Sequence, residues 1–242
     1  MMPLVLVGAG GFARETAEAV RAANAAAPAW LPLGFVDDDP ALHGTVLDGL
    51  PVLGPVDRLA DLPEARVVVC TGRPGNYFSR KRLVRRLDAL GIDRSRYATV
   101  VHPAAVLAAA ARVGRGSVVL ATAVATAAVD VGGHVAIMPG VTLTHDDVVG
   151  DYATIAAGAR LAGGVRVGEG AYVGAGALVR EQRTVGAWSL VGMGAVVLDD
   201  VPPGEVWAGV PARRLRGVDV PPDVLGAAAD AAAPAAHRPG RR

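Results

Sequence analysis

The chain has 242 residues, of which 52% are hydrophobic and 19% charged, and its net charge is +1. That length holds one large domain or two modest ones, and near neutrality excludes a bulk electrostatic draw toward nucleic acid. The single cysteine, Cys70, excludes an internal disulfide framework and suits a reducing compartment. The first residues carry no basic region and no small-residue cleavage site, and polar residues and glycines break every apolar run before the roughly 18 residues a membrane span needs. The expectation is a soluble cytoplasmic protein with no membrane partner. High Ala and Arg point to a GC-rich bacterial genome.

Leu4-Val5-Leu6-Val7 reads as a buried parallel strand. Gly8-Ala9-Gly10-Gly11 turns from it into an Ala-rich helix from Phe12 to Ala26. Strand, glycine turn and helix present backbone N–H groups to a phosphate or other anion, although Ala13 stands where the third glycine of a dinucleotide-binding fingerprint would be. A second strand near Leu33–Val36 ends in Asp37-Asp38-Asp39. These carboxylates could grip a ribose or a nucleobase, or simply cap a loop. Val56–Leu62 reads as a small helix, and Arg66–Thr71 as a strand that ends at Gly72 with Cys70 buried in it. Asn76–Leu90 is amphipathic. Phe78, Leu83, Val84, Leu87 and Leu90 form its apolar side, and Arg80, Lys81, Arg82, Arg85 and Arg86 form a basic face that is either solvated or, at Asn76 and Arg80, turned to a phosphate. The first 96 residues thus predict a small Rossmann-like α/β domain with three or four parallel strands.

From Val101 to Val197 every sixth residue is Val, Leu or Ile, with Ala125 the one exception among 17 positions. The position four later is usually small or β-branched, and Gly often follows the aliphatic residue. This period belongs to neither a helix nor a plain strand alternation. It predicts a parallel β-helix over residues 97–217, with three hexads per coil and about five to six coils. Val201-Pro202-Pro203-Gly204 and Gly209-Val210-Pro211-Ala212 end the solenoid, their prolines blunting its open sheet edge. The Ala-, Pro- and Arg-rich stretch 218–242 reads as largely disordered.

Among five histidines, His43 lies in a loop, His237 in the tail, His102 at the junction, and His134 and His145 within the solenoid. No trio converges with the spacing of a metal site, so no metal is expected. His145 precedes Asp146-Asp147. An imidazole there can accept a proton from an attacking amine or hydroxyl, with a carboxylate fixing its tautomer. The same three residues could equally make only a polar turn.

Gly8-Ala9-Gly10-Gly11, Asp37-Asp38, Gly72 with Asn76 and Arg80, the hexads, Leu143-Thr144-His145-Asp146 and Gly209-Val210-Pro211-Ala212 occur in that order. Together they resemble the sialic acid O-acetyltransferase and nucleotide-aminosugar N-acetyltransferase family of left-handed β-helix enzymes, from about Leu4 to Arg216. The resemblance implies a left-handed coil, an exception to the usual crossover hand, and a homotrimer with active sites between solenoids. It implies that acetyl-CoA is the co-substrate and that a nucleotide-linked amino sugar binds at Gly8, Gly10, Gly11, Asp37, Asp38, Gly72, Asn76 and Arg80. It makes His145 the general base and Asp146 its orienting carboxylate. The N–H of Gly163 would hold the thioester oxygen, and acetyl-CoA would run near Gly163, Ala175, Arg213 and Arg214. Two positions depart from the family pattern. Thr154 takes the acetyl-CoA-binding place where the family often has a His, and Met138 takes the substrate-binding place where it often has an Asn before the base. The reaction expected is N-acetylation by direct attack of the sugar amine on the thioester. O-acetylation of a sialic-acid-like sugar, another acyl donor and a non-catalytic sugar-nucleotide scaffold stay open beside it.

Overall fold

The structure is a computed structural model in which residues 1–225 are described. β1 (Met2–Val7), α1 (Gly11–Ala26) and β2 (Trp30–Val36) are followed by a small hairpin of β3 (Val46–Leu47) and β4 (Leu50–Pro51), then by β5 (Arg66–Val69) and α2 (Ser79–Ala89). β1, β2 and β5 form a parallel sheet in the order β2-β1-β5. Leu4 to Val7 are fully buried because the sheet is covered on both faces, and that is why they read as one continuous apolar run. α1 packs through Ala13, Ala17 and Val20, spaced three to four residues apart on one face.

Seventeen two-residue strands follow, β6 (Val100–Val101) through β22 (Val196–Val197). They stack with a register of eighteen residues into a three-sided prism. The first face contains β6, β9, β12, β15, β18 and β21; the second contains β7, β10, β13, β16, β19 and β22; the third contains β8, β11, β14, β17 and β20. The sixth-residue aliphatics fill the interior, and Ala125 is buried with them. One residue in each corner takes a left-handed backbone, and it recurs every six residues from Gly116 to Gly194. Glycine holds many of these places, but Asp146 (φ +63°) occupies one of them.

The end of the prism differs from expectation. β23 (Glu205–Gly209) pairs in parallel with β21, and β24 (Ala212–Gly217) returns antiparallel outside it. The first face is thus extended by a hairpin, where the prolines were expected to blunt an open edge. Residues 218–225, expected to belong to a disordered tail, include the short helix α3 (Pro222–Leu225). Its Val224 is fully buried against Tyr77 and Trp188. The rest of that tail, His237 included, lies outside the described residues.

The N-terminal unit covers the first face of the prism. Val118 and Leu120 join the α1 core, with Met138 packed against it. Tyr77 donates its hydroxyl to the Trp188 carbonyl (2.9 Å). Lys81 pairs with Glu169 and lies over the rings of Tyr152 and Trp188. Arg80 was expected on the outer basic face, but it is 1% exposed and sits in this seam.

Candidate active site

A cavity of about 730 Å³ opens at the carboxyl ends of the parallel strands, where open α/β sheets bind ligands. It is lined by Gly8, Gly10, Gly11, Asp37, Gly72 and Asn76, so six of the eight residues of the N-terminal unit expected to hold the sugar nucleotide do meet there. Gly8 has φ +101°, and a Cβ on it would lie 2.8 Å from Thr71 Cγ2. The turn therefore requires glycine both for its backbone and for its space. Gly10 caps α1 with no side-chain hydrogen bond, which leaves the helix N-terminus facing the cavity. Asp37 Oδ2 accepts the Ala9 N–H (2.8 Å) and holds the glycine turn in place.

The other two expected residues are engaged elsewhere. Asp38 accepts from Arg86 (2.5 Å) and from the Val56 N–H (3.2 Å), outside the cavity lining. Arg80 turns inward and donates to the carbonyls of Thr71 (3.0 Å), His134 (3.0 Å), Tyr152 (3.3 Å) and Ala153 (3.1 Å), and to Thr154 Oγ1 (3.0 Å). A buried guanidinium surrounded by carbonyls is not available to a phosphate. The cation at the cavity is Arg73, which the sequence reading passed over. It is exposed and makes no ion pair among the described residues. Thr71 was also missed: it lines the cavity, and its Oγ1 is buried with no hydrogen-bond partner among the described residues. Its place directly before Gly72 at a strand end was the available signal.

His145 lies in the corner between the second and third faces, opposite the covered first face. Its Nδ1 is 2.9 Å from Asp146 Oδ2, and both side chains are about two-thirds exposed (67% and 68%). The ring's other edge lies over Gly163, where an added Cβ would be 2.3 Å from Nε2 and Cε1. The Gly163 N–H donates to no group among the described residues. An imidazole held by a carboxylate, with an unpaired backbone N–H across the gap, can take a proton and bind an oxyanion at the same place. The structure separates the two carboxylates that residue spacing, apart from the family resemblance, left equivalent. Asp146 holds His145, whereas Asp147 is fully buried and accepts the Thr144 and Val165 N–H groups (both 2.8 Å). Burial pushes the Asp147 carboxyl up to about 6.

The remaining expected contacts are dispersed. Gly163 and Ala175 border the second face at its two edges. Arg213 and Arg214, in the terminal hairpin, lie near Asp199 (3.8 Å) and on Glu205 (2.8 Å). Thr154 is 5% exposed and bonded to Arg80, so it faces the N-terminal unit and not the open surface of the prism. Met138 packs on the α1 core and does not line the cavity. His43 bonds the Asp37 carbonyl (2.8 Å). His134 stacks on Tyr152 and meets Tyr97 edge-on, and burial lowers its pKa to about 4. No group of three His, Cys, Asp or Glu among the described residues could hold a metal ion, and no described helix is long and apolar enough to cross a membrane.

The PglD N-terminal domain family matches residues 3–87. Among solved structures, the acetyltransferase domain of PglB from Neisseria gonorrhoeae FA1090 is 32% identical with a TM-score of 0.79, over 89% of this chain and 100% of that one. PerB from Caulobacter crescentus, solved with CoA and GDP-perosamine, is 32% identical with a TM-score of 0.78, over 88% and 97%. WeeI from Acinetobacter baumannii AYE is 25% identical with a TM-score of 0.63, over 89% and 100%. No curated protein matches the chain in sequence. With 32% identity running over the N-terminal unit and the prism together, the chain belongs to the left-handed β-helix, hexapeptide-repeat family of sialic acid O-acetyltransferases and nucleotide-aminosugar N-acetyltransferases, and it is an acyltransferase.

Proposed function

We propose that the protein transfers the acetyl group of acetyl-CoA to the amine of a nucleotide-linked amino sugar. The observation that carries this reading is the trio at one corner of the prism, with His145 held by Asp146 against Gly163, whose N–H has no partner among the described residues. His145 Nε2 takes the proton as the sugar amine attacks the thioester carbonyl. The Gly163 N–H receives the developing oxyanion, and CoA leaves as the tetrahedral adduct collapses. In support, the PerB structure contains CoA and GDP-perosamine, and a PglB structure contains acetyl coenzyme A.

The N-terminal unit, about residues 1–96, supplies the sugar-nucleotide pocket. The helix N-terminus beyond Gly10 and the Arg73 guanidinium meet the phosphates, and the Thr71 hydroxyl offers one further polar contact. Residues 97–217 supply the catalytic surface, with acetyl-CoA along the second face between Gly163 and Ala175.

The pocket and His145 lie on opposite sides of one prism. A sugar held in one chain's pocket therefore meets His145 of another copy, which favours the homotrimer. CoA release, followed with a thiol reagent against UDP-, dTDP- and GDP-linked amino sugars and free sialic acid, tests the reading. Turnover on an amino-sugar nucleotide that falls by roughly two to four decades in His145→Ala is the expected result. Turnover on sialic acid alone would replace amine with hydroxyl as the acceptor, and a His145→Ala variant as fast as wild type would remove the base.

A further inference from the structure

Asp147 breaks the pattern of the prism. The corner position it fills is Val, Ala or Ser at nearly every other hexad, such as Val129, Val141, Ala153 and Ala159. Among the described residues it is the only fully buried carboxylate. The stack does not need it. At alanine corners the equivalent N–H bonds back within its own coil, as Ala159 does to Ala156 (3.1 Å) and Ala177 to Gly174 (3.1 Å), and at Val129, the same corner one coil earlier, it has no partner among the described residues. A charge placed inside an apolar corner disfavours the fold, so its use has to lie in what it holds.

We propose that Asp147 is a positioning residue: its carboxylate ties the turn carrying His145 to the turn carrying Gly163 and so sets the gap in which acyl transfer occurs. One oxygen accepts the N–H of Thr144, directly before His145. The other accepts the N–H of Val165, two residues after Gly163 on the next coil. Two further bonds run between the same turns, from the Gly164 N–H to the His145 carbonyl (2.8 Å) and from Thr144 Oγ1 to the Leu161 carbonyl (3.0 Å). Asp147 is fully buried, so it acts only through these neighbours. The proposal rests on the reading of His145 as the base. It adds that the distance between base and oxyanion donor is set from inside the prism by a residue that touches no substrate.

The test compares Asp147→Val, Asp147→Ser and Asp147→Asn in the full chain, using CoA release with acetyl-CoA and the acceptor that wild type turns over, alongside thermal midpoints. Val reproduces the corner of the neighbouring coils. It should lower kcat by about 10- to 100-fold, the range expected for a misplaced catalytic group, while both KM values and the thermal midpoint hold. Ser should recover part of kcat, because a hydroxyl can accept the Val165 N–H as Ser117 Oγ accepts the Val135 N–H (2.9 Å). If Val fails to fold, Asn decides: it keeps the volume and one acceptor oxygen but presents an amide donor to the second N–H, so kcat should again fall at constant KM. A folded Val or Asn variant with kcat within about twofold of wild type overturns the proposal, as does a loss confined to KM. If His145→Ala is inactive while Asp147→Val turns over normally, only the positioning role fails. If His145→Ala is fully active, the underlying reading fails instead.

Discussion

Replacing Arg80 by Met keeps most of its volume and removes its five hydrogen bonds. The Ala153 carbonyl also accepts the Ala136 N–H, but the Thr71, His134 and Tyr152 carbonyls have no other donor among the described residues. Each buried carbonyl left without a donor costs about 1–3 kcal/mol, so three set a gross loss of about 3–9 kcal/mol. Relief of charge burial offsets part of this. Burial holds the guanidinium down at about 10 against an ordinary 12.5, which corresponds to about 3 kcal/mol. The net loss centres on about 3 kcal/mol, or a fall in thermal midpoint of roughly 6–12 °C for a chain of this size. Differential scanning calorimetry reads it directly. Arg80→Lys should lie between the two, since a single ammonium cannot span acceptors spread over both units. A midpoint for Arg80→Met within about 2 °C of wild type would falsify the view that this guanidinium fastens the N-terminal unit to the prism.

Gly163→Ala tests the closeness of the base and the N–H donor. The Gly163 backbone accepts a side chain, but its new Cβ would occupy the space of the exposed His145 ring. The protein should fold normally while turnover falls by about 10²-fold, checked by CoA release beside a thermal scan. Two buried groups should oppose one another in acid. His134 ordinarily titrates at 6.5 but is lowered to about 4 by burial and Arg80, so the unfolded chain binds more protons between those values. Stability of about 3 kcal/mol present above pH 6.5 is thereby lost as pH falls toward 4. Asp147 runs the other way: its folded value of about 6 lies above the ordinary 3.8, so the folded state binds more protons and gains about 3 kcal/mol over nearly the same fall in pH. Urea midpoints measured between pH 4 and 7 should therefore change little in wild type. They should drop steeply toward acid in Asp147→Val and rise toward acid in His134→Phe, and parallel profiles for all three proteins would refute the assignment.

The prism was legible from the sequence alone because its information is local and repeated. Each coil buries its interior only against the coils on either side, so the demand for an aliphatic residue recurs every six positions and survives the single exception at Ala125. The glycine turn and the continuous apolar run of β1 were legible for a similar reason, since a tight turn and a doubly covered strand constrain neighbouring residues in the chain. His145 with a carboxylate beside it was visible as a pair. What the sequence left undecided was where charged side chains go once distant segments meet. Arg80 is drawn inward by carbonyls 54 to 73 residues away, Asp38 is taken by Arg86, and Thr154 is covered by the N-terminal unit, so Arg73 is left as the cation at the pocket. Asp146 and Asp147 are adjacent in sequence, yet one sits at the exposed left-handed position of the corner and the other inside it. The pocket and His145 lie on opposite sides of the prism because the N-terminal unit covers its first face. No periodicity records which face a separate unit will cover, because that depends on the summed fit of two surfaces far apart in the chain.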